Sequence, residues 1–335
     1  MQRLINHPDE VVDDMLAGFL RVHGDAVQAS AANPRVIFKK HLADRPARVG
    51  LVSGGGSGHE PAFVGYLGDG LLDAVAVGEV FSSPGPGAFL EAIRGADRGN
   101  GVACLFGNYA GDSMNMQMAV TRAAEEGRRV AIVKARDDIA SAPKSEAQKR
   151  HGIAGGVLMW KTAGAVAKRG GTLDEVIAIA EKTATRTRSV CVGLSPCTIP
   201  AVGKPNFTID PGHYEFGIGH HGEAGQYVAS LVDAQSIAQA MVAALLEDFG
   251  PQAAGGEFAV MVSGLGATPL MEQYLMAGHI HDALQEAGRA VWRSYVGDYV
   301  TSLDMNGLCL TLLQLDDDLK DLLSFPSSAL GLASL

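Results

Sequence analysis

The chain has 335 residues, 47% of them hydrophobic, and a formal net charge of -10. That length supports two ordinary domains with ample cores. The acidic balance, with no block of Lys or Arg, argues against a nucleic-acid partner, because neutralising phosphates needs clustered cations.

The first residues, Met1 to His7, are too short and polar for a signal peptide, and no apolar run approaches a membrane span, so a cytoplasmic, membrane-free protein is expected. Asp9 to Val27 carries Val12, Met15, Leu16, Phe19 and Leu20 at helical spacing and predicts an amphipathic helix. Apolar runs at Val49–Val52, Ala74–Val77, Val102–Phe106 and Val130–Val133 then alternate with helical stretches at Pro86–Ala96 and Asp112–Glu126. This rhythm predicts a mostly parallel sheet covered by helices. Two more helices are expected at Ile153–Lys168 and Thr172–Thr185, the second opened by a Thr172/Glu175 capping box.

After Arg188 the mixture starts again. Strands are expected near Val190–Leu194, Phe258–Val262, Val291–Tyr295 and Leu308–Leu313, with helices at Ala229–Glu247 and Leu270–Ala287 and a surface connection at Gly250–Gly256. The reading is α/β, as two α/β domains at residues 1–187 and 188–335, each a mostly parallel or mixed sheet covered by helices. Cys104, Cys191, Cys197 and Cys309 are far apart, and buried thiols are the default reading for the three in apolar runs.

Ligands in such sheets bind at loops following the strands, and three loops qualify. Ser53 to Pro61 holds four glycines in five positions, Gly54, Gly55, Gly56 and Gly58, after a strand and before an expected helix at Ala62–Leu67. Glycines there let a small polar ligand lie against main-chain N–H groups at the helix start, with His59 at the rim; close packing through a tight turn is the competing reading. A nucleotide phosphate loop is excluded, for no Lys-Ser/Thr follows, and the third glycine of a dinucleotide fingerprint falls on His59. The second loop, Gly107 to Asp112, ends on a carboxylate that serves either as a helix N-cap or as a base, since an ordinary Asp pKa of about 3.9 leaves it ionised at neutral pH. The third, Phe216 to Gly225, holds His220 and His221 among glycines. Adjacent residues of an extended chain face opposite ways, so no metal site is expected there; a neutral imidazole near pH 7 is a nucleophile able to add to a carbonyl carbon.

Ser53–Pro61, Gly78–Pro84, Asn108–Asp112, Gly203–Phe207, Glu215–Glu223, Leu265–Pro269 and Thr301–Met305 resemble, in this order, the substrate-binding K subunit of dihydroxyacetone kinase, and the likeness runs from Leu4 to about Leu315. The resemblance implies that His221 bonds covalently to the carbonyl carbon of a small hydroxyketone or hydroxyaldehyde as a hemiaminal. It implies that His59 hydrogen-bonds the trapped substrate beside Gly56, Ser57 and Gly58, and that Asp112 is the base activating its terminal hydroxyl. It also implies a homodimer. No cofactor is expected in this chain: with Leu335 as its last residue, the nucleotide is expected on a separate L-type subunit, carrying either ADP recharged by a phosphotransferase-system phosphocarrier or exchangeable ATP, with Mg2+. Two residues depart from the family pattern. Gly107 stands where a lysine is usual, which enlarges the pocket and makes a four-carbon ketose such as erythrulose plausible, and His220 replaces an apolar residue. A catalytically silent relative serving as a sensor or co-regulator is the reading from another class.

Overall fold

Two sheets carry the fold, each in its own compact unit, and the computed structural model describes residues 3–42, 46–205, 207–251 and 255–329. The first unit holds the chain up to Ala135, Gly156–Thr183 and the segment from Asp321 onward; the second holds Arg136–Gly155 and Ala184–Lys320. The expected break near Arg188 lies beside the Thr183–Ala184 passage. No shift of composition marks the earlier excursion of Arg136–Gly155.

The first unit opens with α1 (Val11–His23), preceded by one 3-10 turn at Pro8–Glu10, then β1 (Val27–Ala29) and β2 (Val36–Lys39). The long first helix expected from Asp9 to Val27 thus gives up its end to a strand: Val27–Ala29 pairs antiparallel with Ile37–Lys39. There follow β3 (Gly50–Ser57), β4 (Gly68–Asp69), β5 (Ala74–Val80), α2 (Pro86–Ala96), β6 (Val102–Gly107), α3 (Ala110–Glu125), β7 (Val130–Ala135), α4 (Gly155–Lys168) and α5 (Leu173–Thr185). The sheet order is β1-β2-β5-β3-β6-β7, with β5, β3, β6 and β7 parallel. Val52, Ala74, Ala76, Val102, Cys104 and Phe106 pack against α2 and α3 in one core cluster. The alternate residues Leu51, Val75, Ala103 and Leu105 are buried as well, and the indole N–H of Trp160 in α4 donates to the Leu105 carbonyl at 2.9 Å. Burial on both faces explains why these strands read as unbroken apolar runs. The capping box before α5 forms as expected: the Glu175 carboxylate accepts from the Thr172 N–H at 2.7 Å and the Glu175 N–H donates to Thr172 Oγ at 3.3 Å.

Two expectations need correction here. The glycine run does not connect a strand to a helix, because Gly54–Ser57 is itself the end of β3, paired with Ala76, Val77 and Val80 of β5. No α-helix follows at Ala62–Leu67, only a 3-10 turn at Val64–Tyr66. The aromatic rings of Phe63 and Tyr66 both pack on Trp160, at centroid distances of 5.7 and 4.9 Å, and this short segment gains more from seating those rings than from one or two helical turns.

The second unit contains β8 (Thr187–Ser195), β9 (His213–Phe216), β10 (Tyr227–Ser230), α6 (Ala234–Phe249), β11 (Glu257–Gly264), α7 (Leu270–Glu286), β12 (Ala290–Gly297) and β13 (Asn306–Gln314). Next comes α8 (Asp317–Ser324), along which the chain passes back into the first unit, where β14 (Ser328–Ala329) pairs with β4 of that same unit. The second sheet runs β10-β9-β8-β13-β11-β12, mixed in direction, with only β11 and β12 parallel. Its core joins Val190, Val192, Phe258, Val260, Val262, Leu308, Leu310 and Leu312 to the inner faces of α6 and α7. The helix expected at Ala229–Glu247 starts later. Tyr227–Ser230 pairs with β9 and the Tyr227 ring stacks on Phe216 at 5.1 Å, while Asp233 caps α6 by accepting from the Ser236 N–H at 2.8 Å. In the Gly250–Gly256 connection, Gln252–Ala254 lie outside the described residues.

The thiol reading is also corrected. Cys191 of β8 and Cys309 of β13 face each other in the antiparallel register and are joined by a disulfide, while Cys104 and Cys197 are free and buried.

Asp248 closes this unit electrostatically. Its carboxylate accepts two bonds from Arg150, at 2.6 and 2.9 Å, and one from Arg188 Nε at 2.6 Å. Burial pushes its pKa up, but the two guanidinium groups more than offset this and hold it below the usual value. Asp248→Ala takes the carboxylate away from both arginines, one of them almost fully buried, and is expected to cost about 3–5 kcal/mol; urea unfolding of the variant against the parent measures it.

Candidate active site

The strand order places a switch at β3. The chain leaves β3 towards β5 on one side, then crosses to β6 and β7 on the other. Connections that diverge in this way open a crevice at the carboxyl ends of the neighbouring strands, β3 and β6. Gly56, Ser57, Gly58 and His59 stand at the end of β3; Gly107 ends β6, and Asp112 lies in the first turn of α3.

A third loop, Phe81–Pro84 after β5, ties these pieces together. The Ser57 hydroxyl donates to the Gly78 carbonyl at 2.8 Å and the Phe81 N–H donates to the Ser57 carbonyl at 3.0 Å. A Cβ at Gly56 would lie 2.7 Å from the Ser82 nitrogen, and one at Gly111 would lie 2.6 Å from the Ser83 hydroxyl. Close backbone approach therefore requires glycine at position 56, whereas at position 111 it is the Ser83 side chain that occupies the space. Asn115 of α3 donates to the Pro84 carbonyl at 2.9 Å. The glycine strand and the start of α3 are thus both packed on the loop after β5.

His59 is buried at 5% exposure, and its ring stacks on Phe81 at 5.0 Å with an interplanar angle of 20°. Phe81 has a φ of 55°, a left-handed conformation uncommon for an aromatic residue. Sequence reasoning assigned Phe81 no role, although it sits within one of the quoted motifs. Asp112 is 8% exposed. The N-cap of α3 is Tyr109, which offers no side-chain cap, so the capping role considered for Asp112 is not the one it fills. As the third residue of the helix it places its charge at the positive end of the macrodipole.

His221 lies in the second unit, in the turn between β9 and β10. Glu223 Oε2 accepts from the His221 backbone N–H at 2.9 Å, and Glu223 Oε1 lies 2.8 Å from His221 Nδ1. An ionised carboxylate only accepts, so Nδ1 carries the proton and Nε2 keeps its lone pair. Burial raises the Glu223 carboxyl, but the bond to His221 and the positive charge that this ring carries whenever it is protonated outweigh it and set the pKa at about 2. Glu223 is the second residue that sequence reasoning quoted without a role. The adjacent residues do have different surroundings, as expected: His221 is a quarter exposed at its side chain, whereas His220 is buried with Nε2 3.3 Å from Cys309 Sγ.

A model of the Dak1 domain matches residues 17–331. The chain belongs to the Dak1 family. It is 42% identical over 327 residues to the dihydroxyacetone-binding subunit DhaK of the PTS-dependent dihydroxyacetone kinase 1 of Listeria innocua, covering 97% of this chain and 98% of that subunit. It is 37% identical to a D-erythrulose kinase of Mycolicibacterium smegmatis, over 96% of this chain but 54% of that enzyme. Among solved structures, a dihydroxyacetone kinase operon co-activator, Dha-DhaQ, superposes with a TM-score of 0.88 at 32% identity, covering 98% of this chain and 99% of that one. Among the described residues of this Dak1 chain, no helix is long and apolar enough to cross a membrane.

Glu223→Gln tests the orientation of the His221 ring. The amide no longer imposes a proton on Nδ1, and capture of a carbonyl ligand is expected to slow about 100-fold, measured by intact-protein mass after timed incubation with dihydroxyacetone. The folded Glu223 pKa lies below the free value of 4.5. Its contribution to stability is therefore complete above 4.5 and lost as pH falls towards 2, so between pH 5 and 8 the parent protein's capture rate is not expected to follow Glu223.

Proposed function

We propose that this chain is the substrate-binding subunit of a dihydroxyacetone-type kinase, and that it captures a small hydroxycarbonyl compound on His221. The observation that carries this reading is the His221–Glu223 pair. A ring with its proton pinned on Nδ1 presents an Nε2 lone pair that can attack a carbonyl carbon; the carbonyl π bond breaks, its oxygen takes a proton from solvent, and the ionised Glu223 faces the positive charge that develops on the ring. Selectivity follows from the bond itself. A ketose or aldose has the carbonyl, whereas glycerol has only hydroxyls and cannot form it.

In this reading Gly56, Ser57 and Gly58 let the ligand lie against the main chain, the Gly58 N–H being donated to Glu60 Oε2 at 3.0 Å, His59 steadied by Phe81 hydrogen-bonds the ligand, and Asp112 takes the proton of the attacking hydroxyl. The Ser57 hydroxyl already donates to Gly78, so towards a ligand its oxygen can act only as an acceptor. Phosphoryl donation falls to a separate L-type nucleotide-binding subunit with ADP or ATP and Mg2+, and the subunit wording in the name of the Listeria relative supports that division of labour. Homodimerisation and recharging by a phosphotransferase-system phosphocarrier belong to the same proposal.

The erythrulose kinase relative favours a second substrate. Gly107 ends β6 without a side chain, so nothing at that position competes with a longer ligand for the crevice. A four-carbon ketose is expected to match or exceed dihydroxyacetone in kcat/KM when the chain is assayed with an L-type subunit and ATP. Clear preference for the three-carbon substrate would remove the argument from Gly107. The co-activator neighbour points to a ligand sensor instead, a role that needs His221 but gives Asp112 nothing to do.

A further inference from the structure

One buried cluster remains outside the proposed chemistry. Cys191 and Cys309 are opposite residues of β8 and β13, the two middle strands of the second sheet, 1% and 0% exposed and joined by a disulfide. His220 brings the only imidazole to them among the described residues: Cys191 Sγ, Cys309 Sγ and a ring nitrogen of His220 lie within 4.8 Å of one another. His220 is also fixed through its backbone, since its carbonyl accepts from the Ser302 hydroxyl. It belongs to a tight turn in which the Gly219 N–H donates to the Glu223 carbonyl at 2.9 Å and the Gly222 N–H to the Gly219 carbonyl at 3.1 Å. The same turn holds His221 against Glu223.

We propose that Cys191 and Cys309 form a reversible dithiol–disulfide site, and that His220 transmits its state to His221. In the oxidised form Cys309 sulfur carries no proton and only accepts, so His220 Nε2 must hold the ring proton. In the reduced form the Cys309 thiol can donate, and the proton of the ring moves to Nδ1. Burial keeps this imidazole neutral, with its pKa lowered to about 3, and the His221 charge adds to the lowering against the influence of Glu223. The ring therefore changes tautomer, not charge, and the change acts on the turn that aims the next residue.

The chemistry is exchange with a low-molecular-weight disulfide. The Cys309 thiolate attacks it, forming a mixed disulfide and releasing one thiolate; the Cys191 thiolate then attacks the Cys309 sulfur and releases the second. Two protein thiols are oxidised while one small disulfide is reduced to two thiols, and a small thiol drives the reverse. Because both sulfurs are buried, exchange is expected over minutes to hours.

This proposal rests on the reading of His221 as the carbonyl trap, and the experiment separates the two. The full chain is equilibrated in glutathione buffers of graded ratio, and its thiols are counted by alkylation and mass spectrometry after denaturation. Four labelled cysteines are expected in reduced protein and two, Cys104 and Cys197, in oxidised protein, interconverting reversibly. The rate of dihydroxyacetone capture is expected to differ about tenfold between the forms, the scale of a small misplacement of a reacting group. Cys309→Ser should behave as the reduced form at every ratio, and His220→Ile should keep the disulfide yet capture at one rate in both. Proton–nitrogen spectra of the imidazoles follow the His220 and His221 rings directly. If neither form captures ligand but the His221 ring still shifts with redox state, the coupling stands and the trap assignment falls. A thiol count fixed at two or at four, equal capture and spectra in both forms, or a zinc or cuprous ion held stoichiometrically by the reduced cluster would each overturn the proposal.

Discussion

Replacing His221 with alanine is expected to abolish the mass increment that appears when the protein is incubated with dihydroxyacetone, and to lower turnover with an L-type subunit by about 1,000-fold or more. The expectation follows from the ring geometry. His221 Nδ1 is committed to Glu223 at 2.8 Å, so in this reading Nε2 is the nucleophilic nitrogen, and the neighbouring imidazole of His220 faces a sulfur at 3.3 Å and cannot substitute. The side chain is a quarter exposed and paired with Glu223, so its removal is expected to cost about 0.5–3 kcal/mol, and a thermal melt tells lost activity from lost fold. An undiminished adduct on His221→Ala would place the nucleophile elsewhere in the chain.

Asp112→Asn is expected to dissociate the two steps. Capture on His221 should proceed at close to the parent rate, while phosphoryl transfer falls by about 100- to 10,000-fold, the range for losing a general base. Asn preserves the shape at the third position of α3 and forgoes only the favourable meeting of a carboxylate with the helix N-terminus, worth roughly 0.3–1 kcal/mol. Intact-mass measurement of capture and a coupled kinase assay on the same preparation give both readings. Normal turnover of the variant would sink Asp112 as the base.

Glu223 and Phe81 show where reading the chain alone fell short. Both stand in motifs quoted from the sequence, yet their roles depend on contacts. The pairing of Glu223 with His221 spans two residues and needs the 219–223 turn to bring carboxylate and ring together. Phe81 reaches His59 across β5 and β3, a pairing no local pattern announces. The helix expected at Ala62–Leu67 failed for a related reason: the propensity of so short a segment is weaker than the packing of Phe63 and Tyr66 on Trp160.

From its sequence alone this protein could be assigned the alternation of strands and helices, the burial of both faces of the first sheet, three candidate ligand loops and the family. Each of these depends on periodicity or on glycines and histidines close together along the chain, and such patterns survive in one dimension. Tertiary structure alone decided that the glycines belong to a paired strand, that Cys191 meets Cys309 across 118 residues of chain, and that segments distant in sequence complete each unit. Those outcomes are set by strand register and by side chains meeting through space, and neither is encoded in the spacing of neighbouring residues.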